Sequence, residues 1–211
     1  MKKIRISFLL LLASFLIIFT SCRGDLVNFT YKDKKMQNKR LGLEYYAAPT
    51  NYEAVAQGEA YGYYKKSDMT LYTVIGLDPS EWLTQGYTGV ATTMFYSTDI
   101  TLPTLSEMEP NKVYICSNEE ITYSIATVDD AATVNALVDA FENGKYEEWP
   151  LVNSVATYEL KFYSEDKYPH IYYNLTYGEF PEGEFLYDRN TKRSVRIDGI
   201  IPAFTGADNA E

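Results

Sequence analysis

The chain has 211 residues, 46% of them apolar and 23% charged, with 20 tyrosines, 10 phenylalanines, 2 tryptophans and a single histidine. That is the balance of a globular protein with chain enough for one ordinary domain, and it excludes a disordered or fibrous one. The net charge of −10 is unevenly spread, with residues 41–211 holding 10 bases against 27 acids. So acidic a region repels nucleic-acid phosphates, and no nucleic-acid partner is expected.

Residues 1–5 carry Lys2, Lys3 and Arg5 with no acid, and residues 6–19 are apolar apart from Ser7 and Ser14. A run of that length fits the h-region of a secretory signal, about 7–15 residues, better than a spanning helix of about 20. It closes on Phe19-Thr20-Ser21-Cys22, small residues before a cysteine. This resembles the lipobox of bacterial lipoproteins, with Phe19 where leucine is commonest. The resemblance implies that signal peptidase II removes residues 1–21 and that Cys22 takes a diacylglyceryl thioether. The protein would then be anchored through lipid to the cell membrane, on its extracytoplasmic face. At about 0.8 kcal/mol per buried methylene, two acyl chains make a lasting anchor. The alternative for Cys22 is a disulfide with Cys116, the other cysteine of the chain. Cys116 ends the apolar run Val113-Tyr114-Ile115-Cys116, where a buried free thiol is the ordinary outcome.

Residues 22–40 hold the lipidated cysteine and six bases (Arg23, Lys32, Lys34, Lys35, Lys39, Arg40) against Asp25 and Asp33. Without apolar periodicity, this stretch predicts a basic tether lying along anionic headgroups. Residues 41–205 then form one extracytoplasmic domain, and the tail 206–211 frays. Residues 70–75 are β-branched and aromatic and predict a strand, while residues 77–83 predict a short helical turn capped by Asp78 with Pro79 first. Residues 90–96, 112–116 and 121–128 predict further strands, with a turn at Ser117-Asn118.

One helix is predicted over about 129–143. Asp129 or Asp130 caps it, Gly144 stops it, and Ala131, Val134, Leu137, Val138 and Phe141 share a face opposite Asn135, Asp139 and Glu142. Beyond it, Tyr158, Leu160 and Phe162 alternate with Glu159 and Lys161. Ile171, Tyr173, Leu175 and Tyr177 alternate with Tyr172, Asn174 and Thr176. Each pattern predicts a strand with one packed face. Residues 185–187 and 194–197 predict a hairpin around Asn190-Thr191. The fold class is α+β: a largely antiparallel sheet, or sheets, with one main amphipathic helix covering a face.

Chemistry is sparsely signalled. One histidine and no paired cysteines speak against zinc, and no cofactor motif occurs, so neither metal nor cofactor is expected. Asp129-Asp130 and Glu119-Glu120 could offer oxygens to calcium, but no Asp-x-Asp-x-Asp-Gly loop exists, and helix capping suits Asp129-Asp130 better. His170 has no Gly-x-Ser-x-Gly partner motif, so no catalytic residue is assigned. Tyr45-Tyr46, Tyr61, Tyr63-Tyr64 and Tyr172-Tyr173 put rings on both faces of strands. Joined by Trp82 or Trp149, such rings could stack on sugar or peptide, although half-buried sheet positions suit tyrosine without any ligand. The folded region has a general resemblance to small uncharacterised lipoproteins of Gram-positive bacteria, and none of its motifs identifies a characterised family. The expectation is a non-catalytic binding or interaction module at the cell surface, with a protein or a glycan as partner. The alternatives are a carbohydrate- or wall-binding domain using exposed Tyr and Trp, and a hydrolase using a carboxylate pair.

Overall fold

The computed structural model describes residues 26–85, 93–117 and 123–201. Cys22 and the rest of the leader, the start of the predicted strand 90–96, Asn118, Glu119-Glu120 and the tail all lie outside them. The fold class is α+β, with antiparallel pairing nearly throughout and one α-helix among the described residues.

The first sheet runs β1 (Val27–Asn28), β6 (Gln57–Tyr64), β7 (Met69–Val74), β8 (Trp82–Gln85), β9 (Met94–Ser97), β4 (Leu43–Ala47), β3 (Lys35–Asn38), β2 (Thr30–Lys32). Its two edges, β1 and β2, are one run of chain separated only by Phe29. That run pairs in parallel with β6 on one side and antiparallel with β3 on the other, so the sheet curls into a nearly closed, barrel-like form. Curling removes the exposed edges that an open sheet would present.

The barrel is filled by side chains. Phe29, Met36, Tyr45, Leu71, Leu83 and Phe95 form one buried cluster, Phe29 from the link between β1 and β2 and one residue each from β3, β4, β7, β8 and β9. On β6 the inward position is Gly62, where an added Cβ would lie 2.4 Å from Cε2 of Phe29. Glycine is needed there because the Phe29 ring occupies the space. The hydroxyl of Tyr45, fully enclosed, donates to the Pro79 carbonyl at 2.7 Å.

These strands correct the tether reading of residues 22–40. From residue 27 the chain is in the barrel, and Phe29 and Met36 are buried in its centre. Asp33 and Lys34, both at positive φ, make the two-residue turn of the β2–β3 hairpin. The bases mislead because Lys32, Lys34, Lys39 and Arg40 stay exposed while two apolar residues turn inward. The start of the folded part therefore moves from residue 41 to about residue 27. The predicted helical turn at 77–83 is also corrected. Asp78 does cap a turn, accepting from the Ser80 backbone at 2.8 Å, but Trp82 and Leu83 already belong to β8.

The second sheet runs β11 (Ser124–Val128), β10 (Lys112–Ser117), β12 (Ala156–Tyr163), β13 (Ile171–Phe180), β14 (Gly183–Tyr187), β15 (Ser194–Arg196), with β5 (Tyr52–Ala54) beside the start of β13. The predicted hairpin of residues 185–187 and 194–197 is β14–β15. Register sorts this sheet into two faces. Val113, Phe162 and Tyr173 are cross-strand neighbours on one face, as are Ile115, Leu160 and Leu175. Both rows are buried in a core shared with Val74, Trp82 and Met94 from the barrel.

Helix α1 (Ala131–Asn143) packs into the same core through Val134, Leu137 and Phe141, while Asn135 and Asp139 are exposed. Asp130 is the cap, its carboxylate accepting from the Thr133 backbone at 2.8 Å and from the Thr133 hydroxyl at 2.7 Å. Gly144 ends the helix in extended rather than left-handed backbone, and an added Cβ there would meet the Ala140 carbonyl oxygen at 2.1 Å. Arg193 completes the end, donating to the carbonyls of Phe141 at 3.0 Å and Gly144 at 2.8 Å. A cation is favourable at that pole of the helix.

Candidate functional site

The helix and the barrel cover one face of the second sheet. The other face carries a row, partly buried and partly enclosed, in which charge, amide and aromatic groups meet in register. Across it run Lys112–Tyr163–Tyr172–Glu53, then Tyr114–Lys161–Asn174, then Cys116–Glu159–Thr176–Tyr187. Period-two alternation sends these side chains away from the core formed by their chain neighbours.

At one end stand three tyrosines. Tyr114 lies 6.0 Å from Tyr163 and 5.9 Å from Tyr172, with Tyr163 and Tyr172 5.5 Å apart. At the far end Trp149 lies over Gly178, whose added Cβ would come within 2.6 Å of the indole, with Phe180 and Tyr187 each 5.0 Å away. Glycine is needed at Gly178 because the indole occupies the space. From Tyr172 to Gly178 the strand spans roughly 20 Å.

Between these aromatic ends lies a polar centre. The Lys161 ammonium donates to Glu53 at 2.5 Å, stands 3.9 Å from Glu159, and lies 5.6 Å above the Tyr172 ring. Burial is the largest single effect and opposes its charge, but Glu53, Glu159 and Cys116 together hold the Lys161 pKa above the ordinary value. Burial pushes the Glu159 carboxyl upward, with Lys161 opposing. Asn174, 8% exposed, donates its amide to Glu53 at 2.8 Å. Its carbonyl oxygen Oδ1 has no hydrogen-bond partner. The amide cannot be turned over to relieve this, because Oδ1 would then face the Glu53 carboxylate. Beside it, Arg189 donates to the Thr176 hydroxyl at 3.0 Å.

An unpartnered buried acceptor costs about 1–3 kcal/mol, and most buried polar atoms are satisfied. Among the described residues the only other such atom is the hydroxyl oxygen of Ser194, which is fully enclosed. Asn174 Oδ1 is enclosed as well, but on the sheet face opposite the core that the helix and the barrel share.

The residues singled out in the sequence fall in different places. Tyr172 is in the row, and its neighbour Tyr173 is in the core against Tyr52 at 5.2 Å. Tyr45 fills the barrel, and Tyr46 pairs with Tyr96 on its outside. Tyr61 and Tyr64 pack at the margin of the barrel cluster. Trp82 is buried in the shared core and so cannot join an exposed surface, whereas Trp149 closes one end of the row. Cys116 is a free buried thiol on the row's face, its pKa pushed up by burial. His170 sits against Gly76, and its backbone carbonyl accepts from Val55 at 2.9 Å. Among the described residues no three His, Cys, Asp or Glu side chains gather as metal ligands would.

Sequence reasoning placed Glu159, Lys161 and Asn174 opposite the packed faces of their strands without giving them a role, and it did not single out Glu53. A signal was present: Glu159-x-Lys161 and Tyr172-x-Asn174-x-Thr176 place polar side chains on one face of strands long enough to lie mid-sheet. Compared with known proteins, the chain matches no family model, no curated protein and no solved structure.

Proposed function

We propose that the protein is a membrane-anchored extracytoplasmic lipoprotein whose folded part is a non-catalytic binding module, with the uncovered face of the second sheet as its ligand surface. One observation carries the binding reading: the partly exposed rings of Tyr114, Tyr163 and Tyr172 gather within 6.0 Å of one another beside the Lys161 centre, on the sheet face opposite the core. Catalysis by a carboxylate pair is disfavoured. Glu53 and Glu159 both lie within 4 Å of the Lys161 ammonium, which occupies the space a substrate or water would need between acid and base.

The anchor rests on the lipobox ending at Cys22. With the barrel beginning near Val27, only five peptide steps separate it from Cys22, at most ~18 Å of extended chain. The barrel is then held close to the headgroups, with the exposed bases Lys32, Lys34, Lys39 and Arg40 of its β2–β3 region near the anionic lipid. Cys22→Ala should abolish incorporation of labelled lipid and leave the unprocessed precursor, since only the thiol accepts the diacylglyceryl group. A mature-sized mutant that still sediments with membranes would overturn the anchoring.

A further inference from the structure

We infer that the protein lies on an anionic lipid bilayer on the side of its barrel, with the wall of β1, β2, β3 and β6 against the headgroups and the aromatic row facing away from the membrane. This pose rests on the lipid-anchor reading. Stave order decides which wall is free. β8 and β9 give Trp82 and Met94 to the core shared with the second sheet, whereas β1, β2, β3 and β6 give it no hydrophobic side chain. Residues 27–44 and 57–68, which contain those four strands and the turns after them, hold seven bases against four acids. Lys32, Lys34, Lys39, Arg40, Lys65 and Lys66 are exposed, and Lys35 is paired with Glu44. Of the other acids, Asp33 stands 3.9 Å from Lys32, Asp68 accepts from the Tyr63 hydroxyl, and Glu59 is exposed on β6. Residues 69–211 hold eight bases against 23 acids. A body so divided turns its basic wall to anionic lipid and its acidic remainder away.

The bases sit at both ends of that wall. Because β1 runs parallel with β6, the β2–β3 turn with Lys34 and the β6–β7 turn with Lys65 and Lys66 share one end. Tyr31, 52% exposed, lies there at 6.4 Å from Tyr64. Val27 starts at the other end, beside the β3–β4 turn of Lys39, Arg40 and the exposed Leu41, where Asn38 donates to the Asn28 carbonyl at 2.8 Å. Lengths then choose among three poses. Between the two ends the chain rises roughly 20 Å, or about 15 Å along the axis of a barrel whose strands tilt by ~40°. Standing on the anchored end would lift Lys32, Lys34, Lys65 and Lys66 that far from the lipid, well beyond a screening length of ~8 Å. Standing on the far end would lift Lys39, Arg40 and Val27 as much, and would hold the leash near the full ~18 Å of its five peptide steps. Lying on the wall brings all six bases to the surface with the leash slack. Tyr31 and Leu41 then meet the headgroup layer, where amphipathic rings settle. Since the barrel covers the core face of the second sheet, the row on the opposite face is turned outward from the cell.

Mature lipoprotein would be reconstituted into vesicles of phosphatidylcholine alone and of phosphatidylcholine mixed with phosphatidylglycerol. Its lysines would then be reductively methylated with formaldehyde and the rates read residue by residue from peptide masses. On the mixed vesicles Lys32, Lys34, Lys39, Lys65 and Lys66 are expected to react several-fold more slowly than on phosphatidylcholine, and high salt should remove the difference. Lys145 and Lys192, exposed on the side of the second sheet, should react alike on both. Lys65→Gln combined with Lys66→Gln, at two exposed turn positions, should weaken the docking about tenfold and return Lys32 and Lys34 toward their rates on phosphatidylcholine. Equal rates on the two vesicles would overturn the pose. So would slowing of Lys39 alone, which stands the barrel on its anchored end, or slowing of Lys145 and Lys192, which turns the second sheet to the lipid. Flotation with phosphatidylcholine vesicles separates the two readings. A protein that floats with them and shows equal rates loses the pose and keeps the anchor, whereas one that does not float with them loses both.

Discussion

Raising the pH above about 10 should unfold this protein steeply, because four buried tyrosines resist ionisation. Burial is the leading cause in Tyr45, Tyr52, Tyr173 and Tyr177, and it lifts each phenol well above its ordinary value near 10, Tyr52 to about 12. Tyr45 is in the barrel cluster, and the other three lie in the core shared by barrel and sheet. The sign follows from proton counting. Above about 10 the unfolded chain releases these protons while the folded chain keeps them, so the stability present below that pH is lost as pH rises toward the folded values. Each phenol contributes about 1.4 kcal/mol per pH unit within its window, and four together about 5 kcal/mol per pH unit. Against a typical total of about 5–15 kcal/mol, that is decisive within a few units. Urea midpoints measured at pH 8 to about 11, with phenolate absorbance followed alongside, should fall sharply from about pH 10, and phenolate should appear in the unfolding step. A midpoint unchanged up to about pH 11 would mean these rings are solvated.

Phe141→Ala should cost roughly 3–5 kcal/mol, the usual range for truncating a core phenylalanine. Phe141 is 4% exposed and packs on α1 between the helix and the second sheet. The guanidinium of Arg193 lies 5.8 Å from its ring and also caps its carbonyl, so truncation leaves a cavity and loosens the helix end together. Asn135→Ala on the exposed side of the same helix should stay within about 0.5 kcal/mol. A loss below about 1 kcal/mol for Phe141→Ala in urea unfolding would remove α1 from the core.

What was legible in the sequence was whatever had a strong period. The helix showed itself through Val134, Leu137 and Phe141 behind the Asp130 cap, and β12 and β13 through strict alternation. The barrel's first strands were hidden by charge. In residues 27–38 only Phe29 and Met36 mark the inward face, and five nearby bases read as a solvated leash. Closure could not be read because it depends on one run of chain pairing on both sides, with its hairpin neighbour β3 and with the distant β6. A fragment cut at Leu41 would lose three strands and open the barrel. The candidate row was half legible. Its aromatic members were noticed as tyrosine abundance, but which ring faces outward depends on cross-strand register. Tyr172 and Tyr173 are adjacent in sequence and end on opposite sides. Glu53 reaches Lys161 from 108 residues away, a pairing no local pattern announces.

The claim that the uncovered face of the second sheet holds the ligand is tested most directly by side-chain footprinting. Mature protein would be exposed to hydroxyl radicals alone and then with wall material isolated from the producing cells. The account predicts that Tyr114, Tyr163 and Tyr172 lose reactivity together, while Tyr31 and Tyr146, exposed at 52% and 57% away from the row, keep theirs. Protection confined to Tyr31 on the barrel, with the three tyrosines of the row unchanged, would contradict it.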